Sequence, residues 1–212
     1  MLTSVTKRKF PGKQIVCGLA LALFSAAACA HHVMDGAMPA TFVAGLLSGL
    51  GHPIIGADHL LFVLALGVLC RQMNVGLRAV AAFIAASLLG IALHLGAVGI
   101  PGNESLVALS LLAAGYSLWA GAGRWRAGLI VAAALVGIFH GYAYGESIVG
   151  AQSAALSSYL LGLVLVQSLI GAAAYYAATA AMRSYAIAPK LSQWFGALVS
   201  LSGAGFLLFS VA

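Results

Sequence analysis

Histidines and carboxylates occur together at three places in this chain of 212 residues. The groups are His31-His32-Val33-Met34-Asp35, then Gly51-His52-Pro53-Ile54-Ile55-Gly56-Ala57-Asp58-His59, and then Phe139-His140-Gly141-Tyr142-Ala143-Tyr144-Gly145-Glu146. Imidazole together with carboxylate is the ligand set of borderline divalent transition metals such as nickel, cobalt and zinc. The three groups therefore predict metal binding, and the candidate ligands are His31, His32, His52, Asp58, His59, His140 and Glu146.

The two internal motifs share one spacing, because His52 precedes Asp58 by six residues and His140 precedes Glu146 by six. On a regular helix this separation is about 9 Å along the axis, whereas donors that share one ion at about 2.0–2.2 Å must lie much closer together. Either the two ends of each motif serve different sites, or the helices are broken. Transporters place ligands at such breaks, and we favour this alternative because the motifs contain helix-breaking residues, namely Gly51, Pro53, Gly56, Gly141 and Gly145.

The elements that hold these side chains are predicted to be membrane helices. Of all residues 63% are hydrophobic and only 7% are charged, against about 25% charged residues in soluble domains. A chain so poor in charge cannot cover its surface with polar groups, so its outside must face lipid. The mean hydropathy of +1.07 agrees, and a water-soluble enzyme is excluded. The net charge of +6 is read as a signal of membrane orientation and not of nucleic-acid binding.

The amino terminus has the pattern of a secretory signal peptide. A basic stretch with Lys7, Arg8, Lys9 and Lys13 precedes an apolar run, and Ala28-Cys29-Ala30 resembles a cleavage site. We therefore predict a signal peptide over residues 1–30 and a transmembrane domain over residues 31–212. A retained first helix and lipidation at Cys29 are the two alternatives. Cleavage would leave His31 with a free amine beside His32, which forms either a capture site at the external mouth or a solvated terminus.

Six apolar stretches follow the predicted signal, and polar segments separate them. They are Thr41 to Leu69, Ala79 to Ala97, Leu106 to Ala122, Ala127 to Tyr144, Leu156 to Met182 and Trp194 to Ala212. The basic residues after the signal all fall in the connections after the first, third and fifth stretches: Arg71, Arg78, Arg124, Arg126, Arg183 and Lys190. Since cytoplasmic loops collect Lys and Arg, both mature termini are predicted to be periplasmic. The predicted fold class is an all-α polytopic membrane protein with six transmembrane helices, of which the first and fourth are broken at the metal motifs.

A few further polar residues are placed within or near these stretches. His94 lies near the outer end of the second stretch and Gln167 in the middle of the fifth, where each could line a path or join helices by hydrogen bonds. Tyr142 and Tyr144 could orient the metal ligands or lie at the interface. Glu104 is interpreted as a residue of a helix start. Four aromatic residues near stretch ends are predicted to be interfacial anchors, namely Trp119, Trp125, Tyr159 and Trp194.

The motif Gly-His-Pro-x-x-Gly-x-Asp-His at 51–59, together with Phe-His-Gly-Tyr-Ala at 139–143, resembles the HupE/UreJ family of nickel/cobalt transporters. A cleaved signal followed by six spans is also similar to this family, so the resemblance covers nearly the whole chain. It implies that the functional residues are His52, Asp58, His59, His140 and Glu146. The second motif departs from the commoner family form, in which a histidine stands at the position of Tyr144 and the carboxylate one place beyond Glu146.

The sequence thus predicts a secondary transporter that takes up nickel or cobalt ions across the bacterial cytoplasmic membrane. Its partners would be the transported divalent ion and the lipid bilayer, with no permanently bound cofactor and no nucleic acid, and a homo-oligomer is compatible with this function. One alternative is an intramembrane metal-dependent enzyme, but the motif H-E-x-x-H is absent. The other is a metal-sensing or assembly partner of a membrane complex, which the short loops disfavour.

Overall fold

The computed structural model describes residues 38–121, 126–183 and 188–211, and every regular element within these ranges is an α-helix. The predicted signal peptide and the pair His31 and His32 lie outside the described residues. The helices are α1 (Phe42–Ile55), α2 (Ala57–Gln72), α3 (Arg78–Leu95), α4 (Asn103–Ala120), α5 (Arg126–Glu146), α6 (Ser153–Ala181) and α7 (Ala188–Ser210). The all-α prediction is confirmed for the described part of the chain.

Several of these helices have the length and composition that are typical of a multi-pass membrane protein. Within the described ranges, α3, α5, α6 and α7 are each long and apolar enough to cross a membrane, and the bent pair of α1 and α2 passes as a fifth span. Helix α4 occupies the predicted third stretch but is not among them, because Asn103 and Glu104 at its start make it more polar. The presence of membrane helices is confirmed, and the number of six spans stays a prediction.

The first predicted span is broken at Gly56, where the axes of α1 and α2 differ by 75°. Gly56 has an extended backbone, with φ of −69° and ψ of 100°. A Cβ atom at this position would lie only 2.8 Å from Cδ2 of His59. The Gly56 N–H still donates to the His52 carbonyl over 3.0 Å, which completes the last turn of α1. The predicted break in the first motif is confirmed.

The corresponding prediction for the second motif is wrong, since α5 runs without interruption from Arg126 to Glu146. The glycines of this motif serve close helix packing instead. A Cβ atom at Gly141 would overlap the backbone of Ser87 in α3, and one at Gly145 would lie 2.7 Å from Cβ of His94. Glycine permits either a break or a close approach, and here the neighbouring helix uses the missing side chain.

Glycine also brings other helices of the bundle into close contact. Cβ atoms at Gly49 and Gly90 would overlap the carbonyl groups of Tyr159 in α6 and Ile138 in α5. Gly115 in α4 and Gly196 in α7 face each other, and a Cβ on either would lie 2.6 Å from the carbonyl oxygen of the other. The helices thus pair as α1 with α6, α3 with α5, and α4 with α7. Helix α2 packs against every other described helix, so its residues form the middle of the bundle.

The variant Gly141→Ala should destabilise the protein by about 1–3 kcal/mol, the usual cost of overpacking. The added methyl group must displace the backbone of α3, although alanine is the better helix former. Thermal unfolding in detergent would measure the loss, and Gly99→Ala is the control because open space surrounds Gly99. Equal melting temperatures for the two variants would contradict the close contact of α3 and α5.

Candidate metal centre

Two buried histidines from different helices form a direct pair. His59 lies in the first turn of α2 and is 5% exposed, while His140 lies in α5 and is 0% exposed. Their Nδ1 atoms are 2.9 Å apart, so one ring must donate and the other must accept. The structure therefore brings together two of the predicted ligands that are 81 positions apart in the chain.

The hydrogen bonds of Ser110 in α4 indicate which ring donates. Its hydroxyl donates to the Val107 carbonyl over 2.6 Å, and its oxygen lies 3.0 Å from Nε2 of His140. The serine has a single hydrogen, and we assign it to the carbonyl because that contact is the shorter of the two. On this assignment Nε2–H of His140 donates to Ser110. A neutral His140 then accepts at Nδ1 from His59, which leaves the lone pair of His59 at Nε2. Neutral imidazole binds metals through such a ring nitrogen with a free lone pair.

His52, near the end of α1, is the third member of what we call the histidine row: His52, His59 and His140. The centroids of its ring and the His59 ring are 5.6 Å apart, and those of His59 and His140 are 5.1 Å apart. Nδ1 of His52 lies 3.1 Å from the Ser147 hydroxyl and 3.2 Å from the Tyr159 hydroxyl. These contacts hold one nitrogen of His52, so its ring orientation is set by residues beyond α1.

Aromatic side chains enclose the histidine row. Tyr144, predicted to orient ligands or to lie at the interface, packs against His59 with ring centroids 4.3 Å apart and the rings tilted by 47°. Phe62 covers His140 at 4.5 Å. Tyr144 is fully buried, and its hydroxyl has no hydrogen-bond partner among the described residues. Since a buried polar group without a partner is costly, this hydroxyl marks the row as a place where a polar or charged ligand would be stabilised.

Of the predicted carboxylate ligands, Asp58 adjoins the histidine row and Glu146 lies in a separate cavity. Oδ1 of Asp58 accepts a 2.8 Å hydrogen bond from the N–H of His59, at the start of α2 where a negative charge is favourable. Glu146 lines a separate polar cavity together with His94 and Tyr142. Within the described ranges, no three His, Cys, Asp or Glu side chains lie close enough to hold one ion. An ion bound through the Nδ1 atoms of both His59 and His140 would replace their direct hydrogen bond.

Some residues of the site could not be recognised in the sequence. Ser110, Ser147 and Tyr159 bond to the histidines from 30, 95 and 107 positions away. Tyr159, predicted as an interfacial anchor, is 0% exposed and donates to the Tyr144 carbonyl over 2.8 Å. By contrast, Gln167 was predicted to line a path or to join helices; it is fully buried, and neither of its amide atoms has a partner among the described residues. The indication in the sequence was its position in the middle of an apolar stretch.

Comparison with known proteins bears on these histidines. Residues 19–206 match the sequence model of a family described as HupE / UreJ protein. The chain belongs to the HupE / UreJ family. The match includes both histidine motifs and nearly the whole chain, so the resemblance inferred from the motifs is confirmed. This is a transporter family associated with nickel and cobalt. No curated protein and no solved structure matches the chain.

In this HupE / UreJ chain, Ser110→Ala should lower the free energy of unfolding by about 1–3 kcal/mol. The substitution leaves the buried Nε2–H of His140 without an acceptor, and an unsatisfied buried donor costs that much. The control is Ser117→Ala in the same helix, because the exposed Ser117 hydroxyl bonds to the Ala113 carbonyl of its own helix. Thermal unfolding in detergent compares the two variants. A Ser110→Ala protein that melts with its control would refute the proposed tautomer of His140.

Proposed function

We propose that this protein is a permease that carries nickel or cobalt ions from the periplasm to the cytoplasm across the bacterial cytoplasmic membrane. The observation that carries the proposal is the histidine row, in which imidazoles from α1, α2 and α5 converge inside a bundle of apolar helices. Polar and ionisable side chains are expensive within a membrane and usually mark an ion or substrate path. Imidazole is a suitable ligand for both metals.

The arrangement of the helix ends supports six membrane crossings, because helix ends predicted to lie on the same side of the membrane surround the same cavity. The end of α3, the start of α4 and the ends of α5 and α7 surround one cavity. The ends of α2 and α6 and the start of α7 surround another. If α4 also crosses, its 18 residues span about 27 Å, against a hydrocarbon core of about 30 Å. The basic residues then lie at the cytoplasmic end and the mature termini in the periplasm.

The broken first span gives the ion a favourable place to bind. The C-terminal end of α1 carries the negative end of its helix dipole, and it ends at the bend beside His59. Broken helices of transporters bind cations at such ends. The neutral imidazoles of the row can bind metal without losing a proton once their mutual hydrogen bond opens. Asp58, next to His59 in the chain, supplies the nearest negative charge in sequence.

The membrane potential is sufficient to drive uptake without ATP. A divalent ion that moves inward gains about 4.6 kcal/mol per 100 mV, which is twice the roughly 2.3 kcal/mol per unit charge. The row needs only to bind the ion strongly enough to replace part of its water and weakly enough to release it. A pair of imidazoles that must first break its own hydrogen bond meets both requirements.

Replacement of His59 or His140 by Gln should abolish uptake of nickel and cobalt. Glutamine keeps a polar side chain but removes the imidazole lone pair. The assay uses purified protein in proteoliposomes with an imposed inside-negative potential, and Ser117→Ala and Tyr176→Phe on exposed helix faces serve as controls. Uptake by either Gln variant at the wild-type rate would exclude the histidine row as the transport site.

Asp58→Asn separates two roles of this side chain. Its amide oxygen can still accept the hydrogen bond from the His59 N–H, but it carries no negative charge. If Asp58 contacts the ion during transport, as we expect, Asp58→Asn and Asp58→Ala should both lose uptake by at least ten-fold while the Asn variant inserts and melts normally. An Asn variant that transports normally beside an inactive Ala variant would reduce Asp58 to a helix-start residue.

A further inference from the structure

A groove in the side of the bundle lies between α6 and α7, at the helix ends where basic residues collect. It has a volume of about 320 Å³, and we call it the lateral groove. Helix α2 packs against both α6 and α7 and forms the floor, whereas α6 and α7 are not a packed pair in the described ranges. The groove opens to the outside of the bundle, because Ala177 and Leu191 in its lining are exposed. The described side chains therefore leave a space here that they do not fill.

The lateral groove has the dimensions of a lipid acyl chain in one leaflet. Its lining runs from Leu64 to Gln72 along α2 and from Ala174 to Met182 along α6. Eight positions of a helix correspond to about 12 Å, and half of the hydrocarbon core of a bilayer is about 15 Å thick. The volume of about 320 Å³ is about twice the roughly 150 Å³ that encloses one benzene ring, so about a dozen carbon atoms fit.

The lining of the lateral groove is apolar except at one end. Its polar side chains are Gln72, in the last turn of α2, and Ser192, in the second turn of α7. The side-chain amide of Gln72 donates to the Ser192 hydroxyl, which in turn donates to the Leu118 carbonyl of α4 over 3.4 Å. Polarity therefore changes along the groove in the same order as along a phospholipid, from the hydrocarbon chain to the ester groups.

A basic residue lies beside the polar end of the groove on each of the three elements that form it. Each is next to a lining residue in the chain: Arg71 precedes Gln72, Arg183 follows Met182, and Lys190 precedes Leu191. Since adjacent Cα atoms are about 3.8 Å apart, all three backbones lie at the groove, and Arg183 and Lys190 are exposed. No ion pair and no side-chain hydrogen bond joins any of the three to another described residue. Their charges are thus available to a ligand.

The described carboxylates do not neutralise this positive end. Asp58 lies at the start of α2, about 20 Å along the helix axis from Arg71. Glu104 and Glu146 line the other cavity, at the opposite ends of α4 and α7 from the lateral groove. Three cations without a nearby carboxylate create a positive potential that attracts an anion.

One class of ligand matches the whole length of the lateral groove. A soluble anion would pair with the basic residues but leave the apolar part empty, and an empty apolar space forfeits dispersion contacts. A zwitterionic lipid would fill the apolar part but brings no net negative charge. An anionic phospholipid does both, and basic pockets between membrane helices on the cytoplasmic side bind such head groups.

We propose that the lateral groove binds one anionic phospholipid of the predicted cytoplasmic leaflet. An acyl chain lies on α2 between α6 and α7, and the phosphate lies among Arg71, Arg183 and Lys190. The lipid then connects two helices that do not pack against each other, and it supports α2, the helix that carries His59. Binding of this lipid goes beyond the proposed function and does not require the transported ion.

Native mass spectrometry of the full chain, released from detergent without added metal, tests this site. Phosphatidylglycerol and phosphatidylcholine with the same acyl chains are offered at equal concentration. The wild type should retain phosphatidylglycerol at least about ten-fold better, because only this lipid brings a net charge to the basic residues. Excess inorganic phosphate should not displace it, because phosphate has no acyl chain.

Two kinds of variant separate the head group from the acyl chain. Arg71→Gln/Arg183→Gln/Lys190→Gln should abolish the preference for phosphatidylglycerol, whereas Arg126→Gln at the start of α5, outside the lining, should keep it. Ala177→Phe should lose the lipid itself, because the added ring occupies the groove. Its matched control is Ala173→Phe, which is exposed on the same helix outside the lining and should bind the lipid normally.

Several outcomes would overturn the lipid site. Equal retention of the two lipids by the wild type, displacement by phosphate, or an unchanged preference in the triple variant would exclude an anionic lipid at these residues. Equal lipid binding by Ala177→Phe and Ala173→Phe would exclude the groove. A lipid-free dimer that Ala177→Phe dissociates would assign the groove to a second copy of the chain. Because no measurement involves metal uptake, failure of the lipid site and failure of the proposed permease are distinguishable.

Discussion

The bend at Gly56 is the constraint on which the geometry of the site depends. His52 and His59 would lie about 10 Å apart along the axis of a continuous helix. The 75° change of direction instead brings their rings to 5.6 Å. The same bend directs α2 through the middle of the bundle, where it contacts every other described helix and meets His140 from α5. One interrupted span therefore both shapes the candidate metal centre and organises the core around it.

The surroundings of the histidines follow from the absence of water in a bilayer. Buried imidazole nitrogens depend on partners within the protein, and hydroxyl groups from α4, from α6 and from the turn after α5 provide them for His140 and His52. Ser110 holds His140, while Ser147 and Tyr159 hold His52. Such outer partners fix the ring orientation and the tautomer of metal-binding histidines. Glycine contributes at one of these contacts, because Gly49 lets α1 approach the backbone of α6 at Tyr159.

In the proposed transport, the histidine row is the place where the ion would exchange part of its water for nitrogen ligands. The row offers imidazole nitrogens enclosed by Tyr144 and Phe62. These ligands carry no net charge, so the ion would be bound by coordination and not by charge neutralisation.

The sequence by itself determined the helical membrane class, the family, the presence of a break in the first motif and the histidines of the candidate site, because composition, hydropathy and the motif at 51–59 are local properties. Tertiary structure alone decided that the break falls at Gly56, that α5 stays whole, that Glu146 lines a separate cavity and that Tyr159 is buried. The reason is that Gly141 permits either a break or a contact, and the backbone of Ser87 in another helix selects between them. Hydrogen-bond partners such as Ser147, 95 positions from His52, likewise become neighbours only when the helices pack.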